Sequence, residues 1–111
     1  MKHFLIIFLY LPSFFFGQNA FTDVTLNSGI DNIYDVYEGL FGGGVVAFDY
    51  NNDGFEDLYI TGGKSQDILY KNNGDGTFKD VINGSGLLKD SLMVTTGVSS
   101  ADVNKDGYID L

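Results

Sequence analysis

The chain is expected to be all-β, organised as β-propeller blades of four antiparallel strands, with one complete blade and the start of a second. Three observations lead there. Short runs of β-branched and aromatic residues alternate with turns rich in Gly, Asn and Asp. The pattern of runs begins again after 53–57 residues, a spacing close to that of four-stranded propeller blades. An oxygen-rich loop of nine residues follows the first strand of each unit.

Residues 1–20 read as a secretory signal peptide. Met1-Lys2-His3 is a short basic start, and residues 4–16 are apolar apart from Pro12 and Ser13. That run is too short to cross a bilayer, which takes about 20 residues. Cleavage is expected after Gly17 or Ala20. A buried core helix is the rival reading, but Pro12, the clustered Phe residues and the polar shift at Gln18 oppose it. The mature chain is then expected to be secreted, in extracellular surroundings, with no transmembrane segment.

Residues 21–42 are expected to hold a short strand over residues 21–25, a turn at Ser28-Gly29-Ile30 and an irregular stretch rich in Tyr and acids. Residues 43–82 form the first blade. Its strands are Val45-Val46-Ala47-Phe48, Leu58-Tyr59-Ile60-Thr61, Ile68-Leu69-Tyr70 and Thr77-Phe78-Lys79-Asp80-Val81. Asn72-Asn73-Gly74-Asp75-Gly76 is the turn before the last of these. Residues 83–94 connect the units, and residues 95–111 open the second blade. Phe78-Lys79-Asp80-Val81 repeats Phe21-Thr22-Asp23-Val24, and Ser85-Gly86-Leu87 repeats Ser28-Gly29-Ile30, both 57 residues on; Gly97-Val98 repeats Gly44-Val45, 53 on. A single blade cannot bury both of its faces, so the chain reads as the N-terminal part of a longer protein.

The two loops carry the chemistry. Asp49-Tyr50-Asn51-Asn52-Asp53-Gly54-Phe55-Glu56-Asp57 places side-chain oxygens at positions 1, 3, 5 and 9, with Gly at position 6. Asp102-Val103-Asn104-Lys105-Asp106-Gly107-Tyr108-Ile109-Asp110 does the same. Hard cations such as Ca2+ take all-oxygen ligand sets from carboxylates, amides, backbone carbonyls and water. Asp49, Asn51, Asp53 and Asp57 in one loop, and Asp102, Asn104, Asp106 and Asp110 in the other, supply such a set. Phe55 and Tyr108, at position 7, can add only a backbone carbonyl. A plain hairpin turn needs Asn-Gly or Asp-Gly, but not the alternating oxygens before it or the Asp after it. An EF-hand needs Glu at position 12; position 12 from Asp49 is Ile60.

Composition narrows the rest. Fifteen acids face six Lys and no Arg, for a net charge of −9, which opposes a nucleic-acid partner. Cys is absent, so disulfides, thiolate chemistry and a cysteine-linked lipid anchor are excluded. The sole His, His3, lies in the leader. Lys64, Lys71, Lys79, Lys89 and Lys105 are scattered and read as solvated surface. Tyr34, Tyr37 and Phe41 read as covering blade edges, with a ligand-lining role as the rival. Asp75, between Gly74 and Gly76, reads as a turn residue, with a third ligand site as the rival that the missing alternating acids oppose.

Four stretches carry a resemblance. Phe21-Thr-Asp-Val-Thr, Gly44-Val-Val-Ala-Phe-Asp-Tyr-Asn-Asn-Asp-Gly-Phe-Glu-Asp-Leu-Tyr-Ile, Leu69-Tyr-Lys-Asn-Asn-Gly-Asp-Gly-Thr-Phe-Lys-Asp-Val and Asp102-Val-Asn-Lys-Asp-Gly-Tyr-Ile-Asp-Leu resemble the FG-GAP/VCBS repeat family, which also occurs in integrin α-subunits. The likeness is greatest to its secreted branch, which includes cartilage acidic protein and often carries an ASPIC/UnbV domain. No Gly-Ala-Pro follows Phe41-Gly42, and Thr95-Thr96-Gly97 stands where the first unit has Gly42-Gly43-Gly44; both points lead away from the integrin type. The resemblance implies a propeller with calcium in the loop joining the first two strands of a blade. It also implies that residues 21–24 close the ring by joining the last blade. The functional expectation is a secreted binding or scaffold module that is not an enzyme, with structural calcium and an extracellular protein or carbohydrate ligand. The alternatives are the propeller of an extracellular polysaccharide-acting enzyme and a calcium-dependent adhesion protein.

Overall fold

Four short runs of strand-forming residues become one sheet. In the computed structural model, which describes residues 21–36, 38, 39 and 42–111, the strands are β1 (Val45–Phe48), β2 (Asp57–Ile60), β3 (Ile68–Asn72) and β4 (Phe78–Asp80). The proposed leader with its cleavage points, Tyr37 and Phe41 lie outside the described residues. The strands pair in chain order, each antiparallel to the next. This is the all-β blade expected from the run pattern.

Register follows from the alternation of side chains along each strand. Val46 lies opposite Tyr59, and Tyr59 opposite Leu69, so these three share a face. The chain after β4 covers that face. Phe48, Tyr59, Leu69 and Ile82 are buried together, with Val46, Tyr50, Val81, Leu87 and Val98 packed against them. Burying each large apolar side chain contributes about 1.5–3 kcal/mol. The opposite face is less covered: Val45 is exposed, and its neighbours across the sheet, Ile60 and Ile68, are half-buried.

The strand expected over residues 21–25 is not formed. Phe21 is exposed, and a single helical turn, α1 (Thr25–Ser28), follows Val24. The Asp23 carboxylate accepts the Thr25 N–H at 3.0 Å and the Thr25 hydroxyl at 2.7 Å. The equivalent segment, β4, has β3 to pair with; residues 21–24 have no neighbouring strand among the described residues.

The repeat is nonetheless visible in hydrogen bonds. Asp80 accepts the Ile82 N–H at 2.9 Å, as Asp23 accepts that of Thr25. Ser85 donates its hydroxyl to the Ile82 carbonyl and accepts the Leu87 N–H; Ser28 does the same with Thr25 and Ile30. The second unit then packs on the first. A Cβ on Gly44 would lie 2.8 Å from the Val98 nitrogen and 2.9 Å from the Gly97 Cα, so the two repeat-equivalent glycines, Gly44 and Gly97, pack in close contact. Ala101 and Asp110 exchange backbone hydrogen bonds of 3.1 and 2.9 Å, which opens the second hairpin around its loop.

Lys89 departs from the surface expected for it. Its ammonium is nearly buried and donates to the Gly63 carbonyl at 2.6 Å, the Asp67 carboxylate at 3.2 Å and the Thr95 hydroxyl at 3.1 Å. Leu87, two residues before it, is partly buried and packs against the core. Lys79 and Lys105 are exposed, as expected. Tyr34 lies over the glycine strip: a Cβ on Gly43 would meet its ring at 2.8 Å.

Candidate metal centre

Each nine-residue loop is shaped by its own acids. In the first, the Asp49 carboxylate accepts the N–H groups of Asp53 at 3.0 Å and Gly54 at 2.7 Å. The Asn51 side-chain oxygen accepts the Asp53 N–H at 3.0 Å, and its amide donates to Asp53 at 3.0 Å. Asp53 accepts the Phe55 N–H at 3.1 Å, and Asp57 that of Tyr50 at 3.2 Å. In the second loop, Asp102 accepts from Asp106 and Gly107 at 3.2 and 3.0 Å. Asn104 accepts from Asp106 at 2.9 Å and donates to it at 3.0 Å. Asp106 accepts from Tyr108 at 2.9 Å, and Asp110 from Val103 at 3.0 Å. Each of these six bonds within one loop has its counterpart in the other.

The backbone repeats as well. Gly54 and Gly107 share a φ of 89°, and position 4 is left-handed in both loops, with Asn52 at 57° and Lys105 at 63°. Sequence reasoning found the glycine but missed position 4. Asn tolerates that conformation and gave a faint signal; Lys gave none. The loops also touch, since the Asn52 side-chain amide donates to the Gly107 carbonyl at 3.4 Å.

The loop acids differ in surroundings. Asp57 is fully buried. Its second oxygen accepts the Asn72 N–H at 2.7 Å, tying the loop to β3. Asp53 is half-exposed and forms an ion pair with Lys71 of β3. The hydrogen bond from Lys71 holds the Asp53 carboxyl below the usual carboxylate range, and the same bond raises the Lys71 ammonium. Sequence reasoning read Lys71 as plain surface and missed this contact. The Phe55 ring lies against the backbone of the β3–β4 turn, where a Cβ on Gly74 would meet it at 2.7 Å. In that turn Asp75 accepts the Thr77 N–H at 2.9 Å and hydroxyl at 2.6 Å, which is turn chemistry.

The sequence model of a family described as FG-GAP-like repeat matches residues 49–111, beginning at Asp49, the first residue of the first loop. The chain belongs to that family. Cartilage acidic protein 1 of Xenopus tropicalis is 31% identical over 70 residues, covering 63% of this chain and 11% of that protein. The chain thus spans about a tenth of the length of this relative. No solved structure matches.

As a cation site, the FG-GAP-like loops fit in donor chemistry. Every candidate side-chain ligand is an oxygen of the type hard cations take. Carboxylate oxygens each carry more than one lone pair, so accepting an N–H leaves capacity for an ion. In arrangement, no group of three acidic side chains among the described residues is gathered closely enough to hold a metal. The carboxylates are turned onto the N–H groups of their own loop instead. No helix among the described residues is long and apolar enough to cross a membrane.

Proposed function

We propose that this FG-GAP-like chain forms part of a secreted, calcium-dependent propeller that serves as a binding scaffold and not as a catalyst. The observation that carries the reading is the matching set of internal bonds in two loops that each offer four oxygen-bearing side chains. A turn alone does not need Asp at position 9, yet Asp57 and Asp110 both occupy it and both accept a backbone N–H from position 2. In this reading Ca2+ draws Asp49, Asn51, Asp53, Asp57 and the Phe55 carbonyl together, and Asp102, Asn104, Asp106, Asp110 and the Tyr108 carbonyl in the second loop. The ion relieves repulsion among like charges held in one turn and stiffens one rim of the sheet. Water completes its coordination.

A scaffold role is supported by the use of the acids. Those in the loops serve loop geometry, and neither His nor Cys is available after the leader to pair with them. The relative named cartilage acidic protein 1 and the signal-like leader favour an extracellular setting. The ligand is taken to be an extracellular protein or carbohydrate. Equilibrium dialysis against calcium tests the reading: the full chain is expected to retain calcium, and the double variant Asp53→Ala/Asp106→Ala to lose it. Equal retention by both would remove the loops as ligands.

A further inference from the structure

We propose that the Lys71 ammonium is a built-in competitor for the cation at the first loop, an inference that rests on the calcium reading above. Lys71 stands on β3, outside the loop, and pairs with Asp53 Oδ2. The Asn51 amide donates to the same oxygen at 3.0 Å, while the other Asp53 oxygen accepts the Phe55 N–H. One of the two Asp53 oxygens is therefore covered by a positive charge from a neighbouring strand. About a third of the Lys71 side chain is exposed, so its flexible stem has room to swing away.

Two consequences follow, with opposite signs. Without calcium, Lys71 offsets the charge that Asp49, Asp53 and Asp57 concentrate in one loop, and so holds the loop in shape. With calcium, the ammonium must leave Asp53 or stand beside a dication, and either weakens binding. Removing the charge should therefore loosen the calcium-free loop and tighten calcium binding.

The test uses the full chain carrying Asp106→Ala, so that only the first loop is read. Calcium binding is measured by calorimetry in the parent, Lys71→Gln and Lys71→Arg, with melting followed in chelator. The expected result is that Lys71→Gln binds calcium roughly fivefold more tightly, the scale of one partly exposed ion pair, while melting lower in chelator. Lys71→Arg, which keeps the charge, should bind like the parent. Equal or weaker binding by Lys71→Gln, with a parent that binds calcium, would overturn the role of Lys71 and leave the calcium reading standing. A folded parent that binds no calcium would overturn both.

Discussion

The Lys89 ammonium lies 3.2 Å from the Asp67 carboxylate, with the two side chains only 6% and 1% exposed. This pair joins the turn between β2 and β3 to the connector that leads into the second repeat. Asp67 also accepts the Gly62 N–H at 2.8 Å, the Tyr59 hydroxyl at 2.8 Å and the Thr95 hydroxyl. Thr95 in turn donates its N–H to the Gly63 carbonyl at 3.2 Å. One buried carboxylate thus gathers the core of the first unit and the lead-in of the second.

Lys89→Met should therefore be costly. It leaves the Asp67 charge buried without its cation, a change worth about 3 kcal/mol in comparable buried pairs. Chemical denaturation of the variant should show that loss, whereas Lys79→Met, on the exposed side of β4, should change stability by no more than ~0.5 kcal/mol.

Stability should also depend on pH through Asp67. Burial opposes its charge, but the hydrogen bonds from Thr95, Gly62, Tyr59 and Lys89 outweigh it and hold the carboxyl below its ordinary value. A carboxyl depressed in the folded state favours folding fully above the unfolded value, about 3.9. That contribution is lost as pH falls through the lower folded value. Melting of the wild type relative to Asp67→Asn, followed from pH 6 to about 2, should show the wild-type advantage begin to fall at about pH 4 and keep shrinking as the pH drops further. A constant difference across the range would deny Asp67 this role.

The two acids of the first loop should separate in their behaviour. Asp57→Ala strands the N–H groups of Tyr50 and Asn72, and an unsatisfied buried group costs about 1–3 kcal/mol. Its destabilisation should persist in chelator. Asp53 is half-exposed, so Asp53→Ala should alter mainly the response to calcium. Unfolding of both variants, with and without chelator, checks the contrast.

Much of this was legible because local signals agreed. Val45-Val46-Ala47-Phe48 and Ile68-Leu69-Tyr70 are apolar runs bounded by Gly or by polar residues, and each became a strand. The loops were legible through spacing, since ligand-type oxygens recur at fixed offsets from a glycine. Contacts that depend on tertiary packing were not. Lys89 looks like any surface lysine until the fold brings Gly63, Asp67 and Thr95 around its ammonium. Lys71 reaches Asp53 only because β3 lies beside the first loop. Residues 21–24 carry the letters of β4 but have no strand to pair with among the described residues.

Thermal unfolding of the full chain with added calcium, with magnesium and with chelator bears most directly on the calcium claim. Extracellular calcium sites bind at about 10⁻⁴–10⁻³ M, and a hundredfold excess over Kd stabilises by about 2.7 kcal/mol per site. The melting temperature should rise with calcium, rise little with magnesium, and return to its starting value in chelator. An unchanged melting temperature at saturating calcium would contradict the account and leave the two loops as turns shaped by their own carboxylates.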